Sequence, residues 1–161
     1  MLVDIPPLSP LPLRAGVSLK PQHDPLALEL VSTGSPSWPG APGWFEVHPQ
    51  NYFGAGGPPH RWLTAFAAAA PISFHSVGLS LGSHGGVNLD ELEQLAALCD
   101  RYAPAMVSDH LSWSGSAANR YPDLLPVPYT AEALDHFAAQ IGRVQDRLGR
   151  TMLIENPSRY L

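Results

Sequence analysis

Four short apolar runs in this sequence finish in side chains that bind metals or move protons. Trp44-Phe-Glu-Val47 is followed by His48, Gln50 and Asn51; Phe74 by His75; Ser108 by Asp109 and His110; and Ile154 by Glu155 and Asn156. Imidazoles and carboxylates with no thiolate among them suit iron, zinc or manganese rather than copper(I) or an iron–sulfur cluster. His48 and His75 read as imidazole ligands, and Glu155 as a carboxylate able to bridge two ions. Asp109 and His110 are the catalytic candidates: only one of two adjacent strand residues faces a given side. Either could be a ligand, a general base or the orienter of a ligating histidine. Glu46 alternates in phase with His48, so it too could face inward, its plainer role being an ion pair inside the fold. With Asn51 and Asn156 it is assigned to substrate contact or to support of the ligands.

Such residues need a scaffold that brings the strand ends together. Neighbouring parallel strands lie ~4.8 Å apart, so donors at their ends can converge on an ion held at ~2.0–2.2 Å. The sequence supplies five strand candidates, at 15–19, 44–47, 71–75, 105–108 and 151–154. Helices are predicted from Asp24 through Leu30, over 60–69, from Asn88 to Tyr102 and from Thr130 to Leu148. Asn88 with Glu91 makes a capping-box-like start, Thr130 an N-cap, and Gly149 a C-terminal stop. Leu89, Leu92, Leu95, Ala96, Cys99 and Tyr102 form one apolar face; Leu134, Phe137, Ala138, Ile141, Val144 and Leu148 form another. Residues 112–128 have no clean period and read as a long loop. Alternating strands and helices at this spacing predict a parallel α/β fold, in which ligands bind beyond the carboxyl ends of the strands. Pro6, Pro7, Pro10 and Pro12 make residues 1–13 an extended arm, leaving 14–161 as one domain.

Composition narrows the function classes. A formal charge of −5 argues against a module that grips nucleic acid through a basic face. Cys99 is the single cysteine, so no internal disulfide forms, and its helical setting makes it a small buried hydrophobe. No apolar run approaches the ~20 residues of a membrane span and no basic leader precedes one, so a cytoplasmic protein is expected. Gly54-Ala-Gly-Gly57 lacks the spacing of a phosphate-binding loop. His23, His60, His84 and His136 fall on helices or loops and are expected to be solvated or structural, while Arg159 and Tyr160 could reach an anionic substrate.

Five ordered motifs carry a family resemblance. They are Glu46-Val-His-Pro-Gln-Asn-Tyr52, His75-Ser-Val-Gly-Leu-Ser-Leu-Gly82, Ser108-Asp-His-Leu-Ser-Trp113, Leu125-Pro-Val-Pro-Tyr-Thr130 and Ile154-Glu-Asn-Pro-Ser-Arg-Tyr-Leu161. Together they resemble the N-terminal part of the multinuclear non-haem iron-dependent oxidative enzymes, a former domain-of-unknown-function family that includes the methanobactin-biosynthesis oxidase. The resemblance implies a TIM barrel of the xylose-isomerase-like type, with about five of eight strand–helix units present here. It implies two or three irons, O₂ as co-substrate, a ribosomal precursor peptide modified at cysteine, and a small partner protein that presents the peptide. By that likeness His48, His75 and Glu155 would ligate iron, and the family's remaining ligands would fall outside these residues. Gln50 and Asp109 stand where members commonly carry Glu. Two further readings remain: a zinc, manganese or magnesium hydrolase or isomerase on a related barrel, and a catalytically inactive truncated chain.

Overall fold

The computed structural model describes residues 11–23, 42–115 and 119–157. Most of the expected N-terminal arm, the helix expected from Asp24, and Arg159 and Tyr160 lie outside the described residues. Five parallel strands form one sheet in the order β1 (Gly16–Ser18), β2 (Trp44–Val47), β3 (Ile72–His75), β4 (Met106–His110) and β7 (Leu153–Glu155). Each strand pairs with its predecessor in that order. This progression, with helices between strands, is a partial TIM-barrel-like fold.

The helices are α1 (Pro58–Ala69), α2 (Leu89–Tyr102) and α3 (Ala131–Leu148). α1 begins two residues earlier than expected because Pro58 and Pro59 suit a first turn, whose N–H groups have no intrahelical partner. Thr130 caps α3 by accepting the N–H of Ala133 at 3.1 Å, and Gly149 leaves it with a φ of 61°. Asn88 makes no such bond to the α2 backbone; its amide turns instead to the Glu91 carboxylate and the Gly78 carbonyl. α2 ends at Ala103 in the left-handed region, just before Pro104.

Strand alternation separates two chemistries. Phe45, Val47, Ile72, Phe74 and Val107 are buried and belong to the core, where Phe45 meets Phe66 of α1 and Phe74 meets Tyr102 of α2. The alternate residues Glu46, Ser73, His75, Ser108 and His110 occupy the opposite face. The buried stripe of α3 is narrower than its periodicity suggests. Phe137, Gln140 and Val144 are buried, whereas Leu134 and Ala138 are exposed, as is Leu89 of α2. Gln140 is tolerated inside because its carbonyl oxygen accepts the N–H of Val87 at 3.1 Å.

The expected long loop at 112–128 contains a two-stranded antiparallel ribbon, β5 (Trp113–Gly115) and β6 (Arg120–Leu125). Its sequence hides it, since Pro122 interrupts β6 and the pairing carries a bulge. Long-range bonds hold it in place. The hydroxyl of Ser83 donates to the Gly115 carbonyl at 2.8 Å, and the Ser114 N–H donates to Ser80 Oγ at 2.9 Å.

Candidate metal centre

The carboxyl ends of β2, β3, β4 and β7 present one candidate ligand each. In strand order these are His48, His75, His110 and Glu155. Register explains the convergence: His75 lies opposite Ser108, and two residues further along β4, on the same face, His110 lies opposite Glu155. The His75 and His110 rings are 4.7 Å apart between centroids. Glu155 Oε2 stands 3.7 Å from Nε2 of each.

One donor atom each from His75, His110 and Glu155 lies within 4.8 Å of the others. Donors held ~2.1 Å from one ion stand ~3.0–3.5 Å apart at octahedral to tetrahedral angles, so the cluster needs only small adjustments to close on a cation. The donor chemistry, two imidazoles and a carboxylate, fits a divalent transition metal. Burial depresses the His75 pKa, with the nearby His110 adding to the effect, while Glu46 and Glu155 oppose it. A neutral imidazole keeps the lone pair that a metal requires. Its Nδ1 is engaged with Ser108 Oγ at 2.8 Å, which leaves Nε2 for the shared space.

His48 stands one strand further out, its ring 5.5 Å from that of His75. It is exposed, and its Nδ1 lies 3.0 Å from the His75 carbonyl oxygen. A carbonyl only accepts, so Nδ1 carries the proton and the neutral ring's lone pair is on Nε2. His48 is therefore prepared as a ligand but is not in the tight three-residue cluster. His110 takes that place, which adjacency alone left open between it and Asp109.

Asp109 faces the other way. It is about 1% exposed and accepts the N–H groups of Leu79 at 3.2 Å and His110 at 2.6 Å. Burial pushes its carboxyl up to about 6, against the pull of those two N–H groups and the Ser76 hydroxyl. Its Oδ1 is 3.9 Å from His110 Nδ1, too far for a hydrogen bond, and the carboxylate is turned away from the face that carries His75, His110 and Glu155. Glu46 is half-buried on the ligand face, and Asn51 and Asn156 are exposed beside the ends of β2 and β7. His60 is structural: its Nε2–H donates to the Gly54 carbonyl and its Nδ1 accepts from the Tyr102 hydroxyl, both at 2.7 Å. His136 likewise donates to the Ser83 carbonyl, and His84 is exposed. Sequence reading passed over Ser108 and Ser76; the phase of Ser108 with His110 was the available signal for the first.

A family model described as RiPP precursor modification enzyme MbnB/TglH/ChrH matches residues 14–161. A UPF0276 protein of Rhizobium meliloti (strain 1021) is 45% identical over 155 residues, covering 96% of this chain and 48% of that protein. One from Caulobacter sp. (strain K31) is 48% identical over 147 residues, covering 91% and 50%. A third, from Paraburkholderia phytofirmans, is 49% identical over 119 residues, covering 74% and 39%. The chain thus spans about half the length of the curated relatives it matches, or less. With the match running through all five parallel strands, the chain belongs to the MbnB/TglH/ChrH family of RiPP precursor modification enzymes.

Proposed function

We propose that this chain forms part of a non-haem iron enzyme that uses O₂ to modify a ribosomally made precursor peptide at cysteine, in the cytoplasm. The observation that carries the reading is the convergence of His75, His110 and Glu155 at strand ends in a chain of this family. His75 and His110 would hold the first ion with Glu155, and His48 would serve a neighbouring one through Nε2. Two or three ions would be present in the whole protein. Iron, when bound, supplies one-electron chemistry with O₂ and a coordination site for a substrate thiolate.

The chain's own residues hold the ligands and shape their surroundings. Ser108 keeps His75 turned toward the shared space, and burial of the imidazole lowers its pKa, which favours the neutral form. The Glu155 side chain is 59% exposed at the β7 edge of the described sheet. Glu46, Asn51 and Asn156, at or near the ends of β2 and β7, are candidate substrate or ligand-supporting contacts. A small partner protein would present the peptide.

The test is to incubate an iron-loaded full-length protein containing this chain with a cysteine-containing precursor peptide in the presence and absence of O₂. The reading expects O₂ consumption and a mass change on the peptide that depends on both O₂ and the cysteine. Turnover with zinc or manganese and no O₂ uptake would instead establish a hydrolase or isomerase on this barrel.

A further inference from the structure

Behind the ligands, side chains form a hydrogen-bonded chain that crosses the ends of three strands. Gln50, two residues past His48, aims its amide nitrogen at Glu91 Oε1 at 2.5 Å and at Ser76 Oγ at 3.0 Å. The reversed amide would set a carbonyl against a carboxylate, so the two acceptors fix its orientation. The Ser76 hydroxyl, with a lone pair taken by Gln50, lies toward Asp109 and helps hold the Asp109 carboxyl pKa down against burial. Asp109 in turn accepts the backbone N–H of His110 and stands 3.9 Å from His110 Nδ1.

The far end of the chain is anchored. Glu91 is buried in the first turn of α2 and also accepts from Asn88 Nδ2 at 3.1 Å. Gly78 lies directly on this carboxylate, and a Cβ there would overlap it. The donors run outward from Gln50, to Glu91 on one side and to Ser76 on the other, and carboxylates stand at both ends. His110 Nδ1 is buried without a hydrogen bond of its own, while the residue's backbone N–H is held by the Asp109 carboxylate.

We infer that Gln50 is a positioning residue for the metal centre: its amide couples Glu91 to Ser76 and Asp109 and thereby fixes His110 against His75 and Glu155. The inference rests on the metal-centre reading above. In this chain a glutamate there would remove both donors and set a second carboxylate against Glu91.

The experiment compares Gln50→Leu, Ser76→Ala and the double variant with Val144→Ala, a core change on α3 outside the chain of bonds. Amide hydrogen exchange at Leu79 and His110 is measured in metal-free protein, and cobalt(II) affinity by titration. Exchange at both amides should accelerate in Gln50→Leu and Ser76→Ala beyond what Val144→Ala shows at matched thermal stability. Cobalt affinity should fall by ~10–100-fold in each, the range seen when outer partners of a metal ligand are lost. The double variant should fall no further than the worse single one, because both break one chain. Exchange no faster than in Val144→Ala, or losses that add in full, would overturn the inference. A wild-type protein that binds no cobalt would remove the metal reading, while the exchange comparison would still decide the role of Gln50.

Discussion

At the scale of residues, the division of labour between two neighbouring side chains decides the chemistry. Glu155 Oε2 faces both imidazoles at 3.7 Å, whereas the Asp109 carboxylate is turned to the Leu79 and His110 N–H groups. Glu155→Gln should therefore lose more metal than Asp109→Asn, because an amide has no charge to offset the ion. Equal loading of the two purified variants would contradict that ranking. Residue types and positions at the strand ends were legible in the sequence, but the order Ser-Asp-His could not say which neighbour faced the cluster. That depends on register with β7, a long-range property. Cys99 illustrates the opposite case, since a helical period was enough to place it in the core. Burial pushes its thiol up to about 11, so a disulfide reagent at pH 8 should leave it unmodified until denaturant is added. Rapid reaction in the native state would show that α2 does not pack as described.

At the scale of elements, strands with a strong apolar run and helices with clean caps were readable, and the ribbon was not. β5 and β6 have neither alternation nor a turn signature; their position comes from Ser80 and Ser83, some thirty residues earlier. The loop from β3 to α2 is held by the same logic, through Glu91 beneath Gly78. Gly78→Ala should cost ~1–3 kcal/mol, the usual range for forcing an atom into a packed site. Thr130→Ala should cost ~1 kcal/mol, the typical value of an N-cap. Urea unfolding measures both, and the Gly78 variant should also bind cobalt more weakly, whereas the Thr130 variant should not. If both variants behaved alike in cobalt binding, the loop would have no part in supporting the centre.

At the scale of the molecule, the sheet of the described residues has two open edges, β1 and β7, with Val17 and Leu153 exposed on them. A closed barrel has no such edges, and open ones invite pairing with another chain. Residues 1–161 expressed alone should therefore run as oligomers on gel filtration and should not turn over peptide; a monomer that does so would contradict this. The strand order was legible because consecutive parallel units are short and regular. The contribution of the remaining half of the relatives' length was not, since no residue here encodes it.

The central claim is that His75, His110 and Glu155 together hold a metal. The most direct measurement is metal per chain, by elemental analysis, in purified wild-type protein and in His110→Ala with matching circular dichroism. Removing one of three donors should reduce bound iron to roughly a tenth of the wild-type value or less, as expected for loss of a coordinating imidazole. Iron retained at the wild-type level in a correctly folded His110→Ala protein would contradict the account.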